Sequence, residues 1–326
     1  MGGSHEELEG VAAPGGAWRL GELRTDRLTG RVAVRVPTWT GKPRGDAGRP
    51  LAVEPGACAF CPPGCYDPVA GNPFETGRLG PGEPNQDGWH ARSLANRWPL
   101  LPASQSGAAT DEVVVLSPHH GAHFGAMSAS EAAGAFAFLL DRARAVTGAG
   151  RPFPIVYVNH GRLAGASQSH PHGHVAALAD TPASQRAEAS ALGAASCVLC
   201  DEGLNSDLEV TRSEGLSLWS PWAPTVAWEQ RLTSLGHEPW PNDPAAAGRM
   251  VRRAVRALEA VVGPVAYNLL IHLGPACEHW HVHIVPRLAV PGGLELGSDL
   301  WPCPADPEEF ASRLRLALPG VGHPEW

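Results

Sequence analysis

The sequence predicts a mixed fold of strands and helices made of two related halves. The first observation is an order that occurs twice: a Cys-x-x-Cys pair, a strand, a lone loop histidine, a helix, a strand, and a strand with histidines at alternate positions. It runs from Cys58 to His174 and again from Cys197 to His283, a period far longer than any solenoid repeat. The second observation is size: 326 residues at 43% hydrophobic supply a sizeable core, in one large or two modest domains. The expected divisions are a tail at 1–17, a first domain at 18–190 and a second at 191–326.

Charge and hydropathy exclude several classes. A formal net charge of -8 leaves no general basic face, so non-specific binding to nucleic acid is disfavoured and any nucleotide must be held locally. The richest apolar stretches, Glu112 to Leu116 and Ile155 to Val158, are strand-length, far short of the roughly 20 residues of a membrane span. Residues 1–16 are acidic and small, without the basic start and apolar run of a secretory signal, which points to a cytoplasmic protein. Seven cysteines in a reducing compartment read as metal or redox sites rather than structural disulfides.

Taken in order, Trp18 to Val36 predicts a hairpin turning at Leu28-Thr29-Gly30, with alternation through Val32, Val34 and Val36. Residues 37–111 are heavy in Pro and Gly, contain Cys58 and Cys61, and need a staple other than a core. Val113 to Leu116 is a strand, and Ser128 caps a helix running to Arg144 and ending by Gly148. The strand Ile155 to Asn159, the loop Gly161 to Ser169 and the histidine strand follow. A polar, Ala-rich connection spans Asp180 to Ala195. In the second series come a strand-like run from Ser217 to Trp228, a loop with His237, a helix from Asp243 to Val262, the strand Tyr267 to His272, and His279-Trp-His281-Val-His283.

Each Cys pair combines with its loop histidine and the first histidine of the cluster behind it. Cys58, Cys61, His120 and His170 form one set; Cys197, Cys200, His237 and His279 form the other. Two thiolates and two imidazoles with no vacant position suit structural zinc, which would pin the Pro/Gly-rich segment to the histidine strand. His119 competes with His120 for the first set, and Cys65, Cys277 and Cys303 stay unassigned. The plainer alternative is that the thiols are small core residues. A redox pair suits less, because neither pair opens a helix after a thioredoxin-like strand.

The segment His170-Pro-His172-Gly-His174 places three rings on one side of a strand, with room left opposite by Pro171 and Gly173. With His170 given to metal, His172 is the natural nucleophile: a neutral imidazole attacks phosphorus without an auxiliary base, forming a phosphoramidate. The loop Gly165-Ala166-Ser167-Gln168-Ser169 offers close backbone approach, N–H groups and hydroxyls to phosphate oxygens.

At these residues the chain resembles the histidine triad superfamily, and within it the galactose-1-phosphate uridylyltransferase family with its nucleoside-diphosphate-sugar phosphorylase relatives. The resemblance rests on Leu23-Arg24-Thr25-Asp26 with Leu28-Thr29-Gly30-Arg31, the first Cys pair, Arg92 with Asn96-Arg97-Trp98-Pro99, Ser117-Pro118-x-His120, and Asn159 with Gly165-Ala166-Ser167. His170-Pro171-His172-Gly173, Tyr267-Asn268, and His279-Trp280 ahead of Val285-Pro286 complete it. It implies an α+β fold of two tandem histidine-triad-like halves, each an antiparallel sheet with packed helices. It also implies one or two zinc ions, a nucleotidylated His172 assisted by Ser167, and substrate contacts at Arg31, Asn96, Asn159, Gly165, Ala166, Ser167 and Glu295. The activity it implies is ping-pong nucleotidyl transfer between a nucleoside diphosphate sugar and a phosphate-bearing acceptor, in a homodimer.

Departures from the family pattern matter as much. His174 stands where transferases of the family carry Gln, and a histidine there favours a hydrolase or phosphorylase on the same intermediate, by proton donation or by admitting water. Leu294 and Trp301 stand where galactose-specific members have hydrogen-bonding groups. His281 and His283 look like the iron-binding pair of some members, with Glu188 as the carboxylate and the second zinc set as a rival. His90, His123, His160 and His272 read as surface or core residues, and Trp89, Trp98 and Trp280 as packing groups with base stacking as an alternative.

Overall fold

The computed structural model describes residues 19–36, 58, 60–61, 75–84, 87–96, 111–148, 150–192, 197–275 and 277–318. The expected tail, Cys65 and the motif residues Arg97, Trp98 and Pro99 lie outside them.

The opening hairpin pairs β1 (Leu23–Thr25) with β2 (Val32–Arg35) through a turn in which Gly30 takes φ +74, a left-handed conformation that suits glycine. The expected valine face is inverted, however. Ala33 is the fully buried residue, while Val32 and Val34 are half-buried, because Arg24 and Asp26 occupy the inner side of the turn.

Two series of five strands follow. The first comprises β3 (Glu75–Leu79), β4 (Ala91–Ala95), β5 (Asp111–Val115), then helix α1 (Ala129–Val146), β6 (Phe153–His160) and β7 (His172–Leu178). Ser128 caps α1 as its sequence predicts, and the structure adds a reciprocal bond from the Ser128 N–H to Glu131. Helices α2 (Ala183–Leu192) and α3 (Val198–Gly203) link the series. The second comprises β8 (Glu209–Ser213), β9 (Leu216–Trp219), β10 (Gln230–Ser234), α4 (Pro244–Val262), β11 (Ala266–His272) and β12 (His281–Arg287). Helix α5 (Gly293–Ser298), β13 (Leu300–Cys303) and α6 (Pro307–Ala317) complete the chain, β13 pairing in parallel with β2.

All ten strands of the two series join one antiparallel sheet in the order β3-β4-β5-β7-β6-β11-β12-β10-β9-β8. Each series therefore has the same internal order, three consecutive strands and then the last two exchanged, and the halves meet where β6 pairs with β11. This is the α+β architecture that the sequence implies.

Helix α4 buries Met250, Val251, Ala254, Val255 and Leu258, the stripe expected of a helix lying on a sheet. It approaches α1 closely, since a Cβ on Gly248 would stand 2.5 Å from the Ala132 carbonyl oxygen. Two elements differ from expectation. The Ala-rich connection forms helix α2, whose Glu188 is buried, and the run from Ser217 to Trp228 stops being a strand at Trp219.

Candidate active site and metal centres

Strand pairing fixes the reactive histidines. In β7, His172 lies beside Val115 of β5 and His174 beside Tyr157 of β6, so both rings share the face that carries Tyr157. The His174 ring stacks on Tyr157 at 4.9 Å and 16°, and stands 5.3 Å from the His172 ring. His172 is 3% exposed, with Phe60 5.4 Å away on another side.

One contact sets its chemistry. Nδ1 of His172 lies 2.8 Å from the His170 carbonyl oxygen, which only accepts; Nδ1 therefore carries the proton and Nε2 the lone pair. Burial lowers the His172 pKa, opposed by that carbonyl, and burial with the neighbouring His172 takes His174 down to about 4. Both rings are neutral at pH 7, as a nucleophile requires.

The loop ahead of β7 makes a short 3-10 turn, Arg162–Ala164, closed by Gly165 at φ +81. Ala166 is buried and Ser167 exposed. Asn159 accepts a 2.7 Å hydrogen bond from Asn268, which also donates to the Ala164 carbonyl at 2.9 Å, so this amide pair holds the loop to the strands. Arg287 Nε donates to Asn268 at 2.5 Å, and the positive charge of Arg31 is felt at Arg287.

Asn96 donates to Asp111 at 3.0 Å. Asp111 pairs with Ala176, four residues along β7 from His172, or about 13 Å at strand rise. Arg31 lies over the Trp301 ring at 5.2 Å, and Glu295 caps α5 by accepting from the Gly292 N–H at 2.7 Å. The structure thus groups His172, His174, Asn159 and the loop, with Asn96 further along the same strands and Arg31 and Glu295 by β13. Trp89 and Trp280 are 3% and 0% exposed and serve as packing groups.

Both Cys/His sets converge. In the first, Cys58 and Cys61 Sγ lie 3.6 and 3.5 Å from His170 Nδ1, and Cys61 lies 3.1 Å from His120 Nδ1. In the second, Cys197 and Cys200 lie 3.4 and 3.5 Å from His279 Nδ1, and Cys200 lies 3.9 Å from His237 Nδ1. Sulfur and nitrogen on one tetrahedral zinc stand about 3.6 Å apart, so the spacing fits that ion. The outer contacts match as well: His170 Nε2 donates to the Ser117 carbonyl at 2.7 Å and His279 Nε2 to the Ser234 carbonyl at 2.9 Å, leaving each Nδ1 bare for metal. His120, not His119, joins the first group. Cys197 does cap a short helix, α3, but the last described element before it is helix α2 and no strand, so the thioredoxin arrangement is absent there.

A third group gathers Glu188, His272, His281 and His283. Glu188 bonds His272 Nδ1 and stands 3.4 Å from His281 Nε2 and 3.6 Å from His283 Nε2. Both Nε2 atoms are buried without a hydrogen-bond partner, although they converge on one carboxylate, which is the arrangement of a ligand set. The second Cys/His set is no rival to it, since His279 turns to the cysteines while His281 and His283 turn to Glu188. His272, expected from sequence to be a surface or core residue, instead belongs to this group: as a lone histidine in an apolar strand it carries no signal in the sequence, and only the β11–β12 pairing His272↔His281 exposes its place.

No family model matches the chain. ADP-glucose phosphorylase of Arabidopsis thaliana is 24% identical over 334 residues, covering 90% of this chain and 92% of the relative. The crystal structure of an Arabidopsis thaliana ADP-glucose phosphorylase with bound ADP-glucose superposes with a TM-score of 0.75 at 21% identity, over 90% of this chain and 97% of that one. A uridylyltransferase structure gives a TM-score of 0.65 at 22% identity, over 91% and 98%. No helix among the described residues is long and apolar enough to cross a membrane. The chain is therefore similar, over nine tenths of its length, to ADP-glucose phosphorylase, and it shares its fold with the ADP-glucose phosphorylase and uridylyltransferase structures.

Proposed function

We propose that this protein is a nucleotidyltransferase acting on a nucleoside diphosphate sugar through a nucleotidyl-histidine intermediate. The observation that carries the proposal is the hydrogen bond from His172 Nδ1 to the His170 carbonyl, which leaves Nε2 as a neutral nucleophile beside the phosphate-type loop. Nε2 attacks the α-phosphorus, an N–P bond forms, and the bond to the bridging oxygen breaks so that sugar phosphate leaves. A phosphate-bearing acceptor then attacks the same phosphorus and frees the imidazole.

The exposed Ser167 hydroxyl meets the charge that grows on the phosphate oxygens, since the Gly165 and Ala166 N–H groups the sequence offered already donate to the Arg162 and Gly161 carbonyls, while Asn159 and Asn268 hold the loop still. Asn96 contacts the nucleoside, and Arg31 and Glu295 the sugar phosphate. Zinc bound by the Cys58 and Cys197 sets supplies structure, tying the flanking segments to the two histidine strands. Glu188, His272, His281 and His283 suit a third cation, iron or zinc. The enzyme works as a cytoplasmic homodimer in carbohydrate metabolism.

A second reading has inorganic phosphate as acceptor. His174 in the place of the family glutamine favours it, and so does similarity to a protein named ADP-glucose phosphorylase. Incubation with labelled ADP-, UDP- and GDP-sugars, then chase with sugar phosphate, phosphate or water, tests both. The proposal expects acid-labile label on His172 discharged by a phosphate-bearing acceptor; discharge by water alone would overturn the transferase reading.

A further inference from the structure

The third histidine group does not end at its four converging residues. Behind it lies a chain of buried charges that leads to the opposite end of the sequence. Arg231 is the cross-strand partner of His283 and is fully buried. Its guanidinium grips Asp26 in a bidentate pair, Nη1 to Oδ1 at 3.0 Å and Nη2 to Oδ2, and stands 3.5 Å from Glu202 and 3.8 Å from Glu229. Glu229 Oε2 is held by the Thr225 N–H at 2.9 Å and the Thr225 hydroxyl at 3.0 Å, which aims Oε1 at His283 Nδ1, 3.7 Å away.

Two features follow from this geometry. With Nδ1 of His283 facing a carboxylate, its proton sits there and Nε2 presents its lone pair toward Glu188, an outer carboxylate fixing an inner imidazole. Second, the buried carboxylates Asp26, Glu202 and Glu229 gather at the Arg231 guanidinium and Glu188 stands beyond His283; even with Glu202 pushed up to about 7 by burial, three carboxylates against one guanidinium leave an excess of negative charge that favours a bound divalent cation.

Asp26 is the turn residue of the β1–β2 hairpin. It accepts from Leu28 N–H at 3.2 Å and Thr29 hydroxyl at 2.6 Å, and its carbonyl accepts from Gly30 N–H at 2.8 Å. A side chain that shapes the turn, at Leu28 and Thr29, therefore also docks it onto β10.

We propose that Glu229, Arg231 and Asp26 are positioning residues of a transition-metal centre formed by Glu188, His272, His281 and His283, so that metal binding and seating of the N-terminal hairpin stabilise each other. The coupling is reciprocal, as any linkage between two sites must be.

Cobalt(II) is a suitable probe, because ions on the two Cys/His sets give thiolate charge-transfer bands and an ion on this set does not. In the full-length protein a third equivalent should bind without those bands. Glu229→Gln should weaken that equivalent about 10- to 100-fold in chelator competition and leave the two thiolate equivalents unchanged. Loading the third equivalent into the unaltered protein should slow hydrogen exchange at the Leu28 and Gly30 amides about tenfold. The exchange experiment needs no variant, so it decides even if Glu229→Gln fails to fold. Absence of a third equivalent, an unchanged affinity in folded Glu229→Gln, or exchange indifferent to metal would each overturn the proposal. None of these readouts involves nucleotide, so such a failure leaves the function proposed for His172 standing.

Discussion

The two histidine strands, β7 and β12, are built alike and put to different uses. In each, the histidine before the strand turns Nδ1 to a cysteine pair: His170 in the first half, His279 in the second. In each, the next histidine bonds through Nδ1 to that residue's carbonyl, His172 at 2.8 Å and His281 at 3.1 Å, and keeps a lone pair on Nε2. The difference lies in what faces that nitrogen. Tyr157 and Val113 flank His174, whereas Leu270 and Arg231 flank His283. One pair beyond Val158↔Gly173, the first half has Asn159, where the second has His272 opposite His281. On the proposed reading, adding one imidazole across the strand and one carboxylate from α2 turns a nucleophile's position into a ligand's. The backbone device is shared, and the neighbours decide its use.

The comparison breaks most directly at the central ring of each strand. His172→Ala should abolish covalent labelling and lower turnover by about 10⁴-fold or more, measured by steady-state kinetics. His281→Ala should keep labelling at His172 and lose one metal equivalent, measured by elemental analysis. Equal loss of labelling in both variants would erase the distinction.

Next in size are the cysteine sets. Cys61→Ser and Cys200→Ser should each remove one zinc and lower the melting temperature, since the binding energy of a structural zinc is folding energy. Only Cys61→Ser should also cut turnover sharply, because its partner His170 supplies the carbonyl that holds His172.

His174→Gln should come third. Removing a neutral imidazole able to accept the proton of an attacking water should lower hydrolysis of the intermediate about 100-fold relative to transfer, read from the ratio of products.

The smallest effect concerns pH. His160 lies next to Asn159, packs against His123 at 4.5 Å and Tyr267 at 4.9 Å, and is held neutral, its pKa pushed down by burial to about 4. The unfolded chain binds the proton near 6.5, so this group's contribution is complete above that pH and is lost as pH falls toward 4. The equivalent residue in the second half is the buried Leu273. His160→Leu should therefore flatten the fall of melting temperature between pH 6.5 and 4 by several degrees.

Much of this was legible in the sequence because it depends on short spacings. The Cys pairs, the alternating histidines, the Ser128 cap and the Asp243 cap are local, and the structure places them as their spacing predicts. The third histidine group was half legible. His281 and His283 announce themselves and the resemblance names Glu188 as their carboxylate, but the helix that aims Glu188, in an Ala-rich stretch with few apolar residues, gave no clear period. His272 has no local partner, and its role arises from strand pairing alone. Nearly the same holds for Arg231: Glu229 is close to it in sequence, but Asp26, Glu202 and His283 come from three other segments. The valine alternation of β2 misled for the opposite reason: a local pattern was overridden by the long-range pair that draws Asp26 inward.

The most direct test is intact-mass spectrometry of the protein mixed with a nucleoside diphosphate sugar and no acceptor, followed by localisation of the adduct. The account predicts one added nucleoside monophosphate, on His172 and absent from His281. An adduct elsewhere, or full turnover by His172→Ala with none formed, would contradict it.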